Sequence, residues 1–488
     1  MRLKELIEEA KVTKVTGDEN VDIRSLCYDS RKVENGSAFV CIKGAKFDGH
    51  DAALEAAKNG AVAIVAEHEI EGLTGVTTVI CEDTRYALAF MSAAWFGHPA
   101  RKLKTIGVTG TKGKTTTTCL VKAVLEHSGR KVGLIGTIET IIGDEHIPAK
   151  NTTPESYVLQ ETFAKMVEAG LDTVVMEVSS QALMQHRCEG FVYDLGIFTN
   201  LSPDHIGPDE HSSIEEYIEC KAMLFKQCRV GIINKDDSHY EQIIKDHTCS
   251  LESFGLSKDC DLRAEDIVLD KKAGHLGVTF KTSGALSMDV KIPTPGRFSV
   301  YNALCAIAIC RHFDINEDDI KTALLNTQVK GRIEKVKVSD DYTVLIDYAH
   351  NAMSLESILT TLKEYDPGRL VCLFGCGGNR AKSRRYEMGE VSGRLADFTI
   401  ITSDNPRFEE PLDIIADIKI GMAKTDGKYI EIPDRKEAIR YALKNAIRGD
   451  IIVLAGKGHE DYQEIKGVKH PMDERVLIAE VIKEENIH

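Results

Sequence analysis

Short apolar runs, each closed by a glycine-rich or polar loop, recur along the chain, and the segments between them carry apolar residues at helical spacing. In the first hundred residues "SAFVCIKG", "GAVAIVAE" and "GVTTVICE" read as strands, with a helical segment near "HDAALEAAKNG". Gly97 and Pro99 in "WFGHPARKLK" break the pattern before the next strand begins. From there to about residue 330, "KTIGVTG", "KVGLIGT", "DTVVMEVSS", "DLGIFTN" and "RVGIIN" alternate with helical stretches, which predicts a parallel sheet with crossover helices. The alternation restarts with "TVLIDYAH", "RLVCLFGCGG", "DFTIITSDNP" and "DIIVLAGKGHED". Ligands of open α/β sheets bind beyond the carboxyl ends of the strands, so these loops are where chemistry is expected.

A length of 488 residues exceeds one hydrophobic core. The pattern divides it into three α/β domains: a small unit over 1–98, a central doubly wound nucleotide-binding domain over 99–330, and a Rossmann-like domain over 331–488. A net charge of −15 argues against a nucleic-acid or anionic-membrane surface, which would need clustered Lys and Arg. The N-terminus "MRLKELIEEAKV" has no signal-peptide apolar core, and no run of about 18 apolar residues occurs, so a cytoplasmic location is expected. Thirteen cysteines are scattered through apolar runs and read as reduced core thiols. Cys372 with Cys376, and Cys305 with Cys310, lack the second pair that a structural zinc site requires.

The candidate chemistry begins at "GVTGTKGKTT". Gly110 and Gly113 allow a tight turn, so that the N–H groups of Thr111 and Lys112 and the following helix N-terminus can face phosphate oxygens. Lys114 adds a charge near the β and γ phosphates, Thr115 offers a hydroxyl to Mg²⁺, and Thr116 continues the first turn. Val108 stands where the usual G-x-x-x-x-G-K-[ST] pattern has glycine. Glu177 ends "TVVMEV", and Asp204 and His205 follow "GIFTN", so three metal-competent side chains are expected to converge on the loop. "DHIG" (204–207) and "NKDD" (234–237) match the short motifs of a GTP-binding switch, but only thirty residues separate them.

Eleven ordered stretches, among them "GVTGTKGKTT", "NTTPES", "MEVSSQAL", "TNLSPDHIG", "ECKAMLF", "KGRIE", "DYAHN", "GCGGNR", "SDNPR" and "AGKGHEDYQ", resemble the signature of the Mur ligases. Within that family they most resemble the branch adding the third amino acid, and the likeness covers nearly the whole chain. The resemblance implies peptidoglycan precursor synthesis by ATP-dependent amide ligation. A carboxylate of the UDP-N-acetylmuramoyl dipeptide attacks the γ-phosphate, and the incoming amine displaces phosphate from the acyl phosphate. It implies an N-terminal uridine-nucleotide grip with Ser30, and dipeptide contacts from Asn151, Thr152, Thr153, Ser179, Gln185 and Arg187. Lys114 and Thr115 match the ATP and Mg²⁺ contacts, Glu177 and His205 the metal ligands, and Asn302, Arg332, Asp347 and His350 the nucleotide side of the cleft.

Lys221, a lone lysine on an apolar helical face, matches a position where CO₂ forms a carbamate that orients Mg²⁺. The last domain is implied to hold the amino acid through Arg385, Asp404, Asn405, Pro406, Arg407, Gly456 and Glu460. A distal carboxylate, present on meso-diaminopimelate and absent from lysine, needs a cation, and Arg407 with Arg385 can supply forked donors, while Glu460 can pair with an ammonium. The expected substrate is therefore meso-diaminopimelate, with L-lysine or another diamino acid as the alternative, and the chain is expected to act as a monomer. Gly207, Asn351, Asn379 and Tyr386 depart from the residues frequent in the family. A folylpolyglutamate synthetase would share the ATP core and leave the N-terminal unit and "NTTPES" unexplained.

Overall fold

The computed structural model describes residues 1–44, 47–203, 206–207, 210–272 and 275–487. The chain forms two compact units, one of 1–261 with 305–315 and one of 262–304 with 316–488. The antiparallel strands Leu262–Lys272, His275–Gly284 and Asp289–Ile292 fold with the C-terminal segment.

The first unit holds two sheets. The N-terminal one runs, in spatial order, Val12–Thr16, Thr77–Cys81, Ala61–Ala66, Ser37–Val40, Ser25–Cys27, with only the first strand antiparallel. Its middle strand is buried on both faces. Ala63 and Val65 pack with Leu88 and Met91 on one side, and Ile64 and Ala66 pack with Ala53 and Ala56 on the other. This two-sided burial is why the strand is a continuous apolar run and not an alternating one.

The central sheet has six parallel strands in the order Ser250–Gly255, Cys228–Asn234, Tyr193–Phe198, Lys104–Thr109, Thr173–Glu177, Val132–Ile135, extended by the antiparallel strands Glu139–Ile142 and Glu145–Pro148. The first strand in sequence, Lys104–Thr109, lies in the middle, and the chain builds outward on both sides of it. The loops that follow Thr109, Glu177 and Phe198 are therefore neighbours at the point where the strand order reverses, the place where open α/β sheets bind ligands. The helix Lys114–His127 buries Thr117, Leu120, Val121, Val124 and Leu125 at helical spacing.

In the second unit the sheet order is Glu334–Val336, Thr343–Asp347, Asp450–Ala455, Arg369–Phe374, Phe398–Ile401, Tyr429–Glu431, parallel except for the first strand. A separate hairpin pairs Tyr462–Ile465 with Val468–Pro471. Two of the departures have local explanations here. Asn351 caps the helix Ala352–Lys363, its side chain accepting from Ser354 N at 2.8 Å, a role threonine can also fill. Asn379 adopts φ +53°, which asparagine tolerates better than most residues, and its Oδ1 accepts from Phe408 N at 3.2 Å.

None of the thirteen cysteines is in a disulfide, and all but Cys119 are buried, as core thiols should be. Among the described residues no helix is long and apolar enough to cross a membrane.

Candidate active site

The phosphate loop is fixed by its neighbours in the first unit. Gly110 has φ +146°, and a Cβ on it would lie 1.9 Å from Thr199 Oγ1. Gly113 caps the helix at φ +86°. Asn200 holds the turn from the adjacent strand end: its Oδ1 accepts from Lys112 N at 2.9 Å, its Nδ2 donates to Lys112 O at 2.9 Å, and its carbonyl accepts from Thr111 N at 2.8 Å. Lys114 folds back over the loop, Nζ donating to Gly110 O at 2.8 Å and Thr111 O at 3.1 Å. Thr115 is buried and Thr116 half-buried.

Glu177, one strand over, is paired in register with Val108 and is 1% exposed. Its carboxylate accepts from Thr137 N at 2.8 Å and Thr137 Oγ1 at 2.9 Å, and Thr137 Oγ1 lies 3.1 Å from Thr152 Oγ1. Thr153 is buried, donates to Glu177 O at 2.8 Å and accepts from Ser179 N at 3.0 Å. Arg187 donates to Thr153 O at 3.2 Å and Gln185 Oε1 at 2.5 Å. The segment matched to the dipeptide site is thereby tied directly to the acidic strand end. Arg85 of the N-terminal part reaches the same segment, donating to Glu155 Oε2 at 2.8 Å. Asn151 is exposed, and Ser30 opens a short turn beside the Asp29–Arg31 ion pair.

Lys221 is 1% exposed, so it does not snorkel; its Nζ stands 4.4 Å from the centre of the Tyr217 ring. Tyr217, one turn earlier on the helix Ile214–Lys226, has its hydroxyl 3.1 Å from Thr111 Oγ1. The fully buried His211 packs against the Tyr217 ring, with centroids 5.0 Å apart and planes tilted by 42°, and sets Nε2 2.8 Å from Ser180 Oγ. Tyr217 and His211 thus join the phosphate loop, the buried lysine and the turn after Glu177. The sequence signal for Tyr217 was its four-residue spacing from Lys221, which puts both on one helical face. Asp204 and His205 lie outside the described residues. The second switch-like motif is structural: Asn234 Nδ2 donates to Thr199 O at 2.7 Å and Asp237 accepts from Leu201 N at 2.7 Å.

In the second unit Asp347 accepts from Ile333 N at 2.8 Å and Ala349 N at 2.9 Å. Burial raises its pKa, with the Arg332 guanidinium opposing. Arg332 lies 4.8 Å from the Tyr348 ring, which packs against His350 at 4.6 Å and His459 at 4.7 Å. Burial, and then the charges of Arg332, Lys330 and Arg475, lower the His459 pKa to about 4. Asn302 is buried on the helix Arg297–Cys310.

The loops after Ile401 and Ala455 meet in the same unit. Arg407, at φ +52°, donates from Nη1 to Gly378 O at 2.6 Å and from Nε to Glu464 at 3.2 Å. Asn405 donates to Glu460 Oε2 at 2.9 Å. Asp404 and Pro406 are buried beside them, and Gly456 faces Asp404 Oδ2. Arg385 is 1% exposed and forms ion pairs with Asp417 at 2.8 Å and Glu409 at 2.7 Å. The exposed Arg380 lies close to Arg407, since a Cβ on Gly377 would meet both the Arg407 guanidinium at 3.0 Å and Arg380 Cγ at 3.9 Å.

A phosphate loop at the strand-order reversal, with a buried carboxylate on the next strand and a second α/β unit bearing its own cluster of charged loops, defines a nucleotide-dependent enzyme of the α/β class. The chain matches the Mur ligase family by its catalytic domain over 22–91, its middle domain over 108–310 and its glutamate ligase domain over 331–458. It is 45% identical to a UDP-N-acetylmuramoyl-L-alanyl-D-glutamate--2,6-diaminopimelate ligase from Caldanaerobacter subterraneus subsp. tengcongensis, over 99% of each chain. It is 44% identical to one from Clostridium acetobutylicum, over 99% of this chain and 100% of that one. A solved structure of a ligase with that same name superposes with TM-score 0.74 at 30% identity, covering 100% of this chain and 99% of the other. The chain belongs to the Mur ligase family.

Proposed function

We propose that this protein joins meso-diaminopimelate to UDP-N-acetylmuramoyl-L-alanyl-D-glutamate, driven by ATP. The observation that carries the reading is the direct tie between Thr152–Thr153, Glu177 and Arg187, which sets the dipeptide-matched segment one strand from the phosphate loop. A carboxylate held there lies on the phosphate-loop side of the sheet, where its phosphorylation makes it an acyl donor. A folylpolyglutamate synthetase reading would leave Arg85–Glu155, the link to the N-terminal sheet, without a role.

The N–H groups of Gly110 to Thr116 and the Lys114 ammonium bind the ATP phosphates. Among the described residues no three acidic, histidine or cysteine side chains converge. Thr115 and Glu177 offer hard oxygen donors that fit Mg²⁺, which otherwise takes phosphate and water oxygens. A carbamate on the buried Lys221, together with His205, would complete the set; bound Mg²⁺ neutralises charge on the transferring phosphoryl group. Thirteen cysteines outside any disulfide accord with a cytoplasmic enzyme.

For the amino acid, Arg407 and Arg380 receive the distal carboxylate and Glu460 the neighbouring ammonium. Lysine leaves the arginines unpaired, at a cost of about 2–4 kcal/mol, or on the order of 10²- to 10³-fold in kcat/KM. The test is phosphate release from ATP, which should require both the UDP-muramoyl dipeptide and diaminopimelate and vanish in Lys114→Ala. GTP hydrolysis without either co-substrate would refute the ligase reading, and comparable kcat/KM for lysine would refute the amino-acid assignment.

A further inference from the structure

A fully buried ammonium lies directly behind the amino-acid loops. Lys457 is 0% exposed, an unusual state for a lysine, which is almost never fully buried unless paired. Its Nζ donates to Glu460 Oε2 at 2.8 Å, Asn405 Oδ1 at 3.0 Å and Tyr462 O at 2.5 Å, and it stands 3.8 Å from Asp404 Oδ1. Asn405 Nδ2 donates to the same Glu460 Oε2 at 2.9 Å. Two donors therefore converge on one carboxylate oxygen. Glu464 N donates to Asn405 Oδ1 at 2.9 Å, and Gln463 Nε2 donates to Asp404 O at 2.7 Å, fastening the hairpin to the same loop.

We infer that Lys457 is a positioning residue for amino-acid selection: it holds Glu460 by Oε2 so that Oε1 faces the substrate ammonium. Rotation of Glu460 about its own axis would break both bonds to Oε2, so one oxygen is kept for the pocket. The charge count supports the same role. Lys457 opposes two carboxylates, Asp404 and Glu460, and leaves one negative charge, which a single substrate ammonium neutralises. The neighbouring carboxylates Glu464 and Glu474 have their own cations, Arg407 at 3.2 Å and the buried Arg435 at 2.7 Å, which leaves the charge of Arg380 to balance the distal carboxylate that it and Arg407 receive. A ligand presenting a carboxylate alone would add a second negative charge to a poorly solvated site, which costs heavily. The inference rests on the diaminopimelate reading and specifies which part of the site enforces it.

The test is a double-variant cycle on the full-length enzyme, with kcat and KM measured for meso-diaminopimelate, ATP and the UDP-muramoyl dipeptide. Lys457→Met and Glu460→Gln should each lower kcat/KM for diaminopimelate on the order of 10²-fold, through KM, with the KM values of the other two substrates unchanged. If Lys457 acts through Glu460, the double variant should be no more than about threefold worse than the weaker single variant. Losses that multiply to roughly 10⁴-fold would overturn the inference. Should Lys457→Met fail to fold, Lys457→Gln replaces it in the cycle. Failure of that variant to fold would also overturn the inference, by making Lys457 a residue of the fold alone. Additive losses in an enzyme active on diaminopimelate sink this inference only; an unmutated enzyme inactive on diaminopimelate sinks the proposed function.

Discussion

Gly110→Ala is a one-methyl change whose effect can be worked from the loop geometry. The added Cβ would stand 1.9 Å from Thr199 Oγ1 and 3.1 Å from both the N and O of Asn200, where ordinary contact begins at 3.4 Å. Turning the Thr199 side chain away breaks its 2.7 Å bond to Lys112 O, at about 1 kcal/mol, and leaves the Asn200 backbone still too close. A non-glycine residue at φ +146° adds about 1–3 kcal/mol, and overpacking a further 1–3 kcal/mol. A total of about 3–7 kcal/mol is more than a loop held chiefly by Asn200 and Thr199 can absorb, so the loop should rearrange and phosphate binding should fail. ADP affinity by titration calorimetry is expected to fall by 10²-fold or more, on the order of 3 kcal/mol. Thr199→Ala alone should cost only about 1 kcal/mol, and added to Gly110→Ala it should recover part of the affinity by removing the nearest clashing atom. ADP affinity in Gly110→Ala equal to that of the unmutated protein would refute this account of the loop.

Two further expectations concern groups packed around the site. His459 has its pKa lowered from 6.5 to about 4, so between those values the unfolded chain binds a proton that the folded chain does not, and stability must fall as pH drops through that window. The shift corresponds to about 3 kcal/mol, reduced to roughly 2 kcal/mol by solvent reaching the half-buried ring. His459→Gln should therefore lose less urea resistance between pH 7 and pH 4 than the unmutated protein, and equal losses would show that His459 is not responsible. Tyr217→Phe removes the hydroxyl 3.1 Å from Thr111 Oγ1 and keeps the ring beneath Lys221. ADP affinity should drop about 3- to 10-fold, with the unfolding temperature nearly unchanged; an unaltered affinity would remove Tyr217 from the phosphate site.

Much of this organisation was legible because it depends on local pattern. Apolar runs ended by polar loops marked every strand whose carboxyl end carries a candidate residue, and "GVTGTKGKTT" fixed the turn by its glycines. What escaped depends on partners far away in sequence. Arg384 and Arg385 are adjacent on one helix, and only Glu409 and Asp417, contributed by other elements, decide that Arg385 points inward into ion pairs. Periodicity also does not record that 262–304 falls in the same compact unit as 316–488. Lys457 looked like part of a solvated turn because "AGKGHED" is polar throughout, and its burial arises from the hairpin Tyr462–Ile465 folding over it.

The buried cations show how a chain of net charge −15 can handle anionic substrates. Arg385 and Arg435 are each forked onto carboxylates from other elements, and Arg435 also donates to Ser403 O and Ala455 O, both at 3.0 Å. Ala455 ends the strand Asp450–Ala455 and Ser403 lies two residues beyond the strand Phe398–Ile401, so Arg435 ties together the starts of the loops that carry "GKGHE" and "DNPR". Planar, permanently charged guanidinium groups suit that framework role, since one group can satisfy several fixed acceptors. Lys221 and Lys457, both 1% exposed or less, are compact ammonium groups placed one contact behind residues that face substrate. Under the proposed function the two serve different chemistry: carbamylation would convert Lys221 into an anion, and ion pairing would use Lys457 to aim a carboxylate. Replacing an arginine pair together with its carboxylates by apolar residues can leave stability intact. Replacing either lysine removes a charge that its neighbours in the site are arranged around, so the loss should appear in substrate use before it appears in folding.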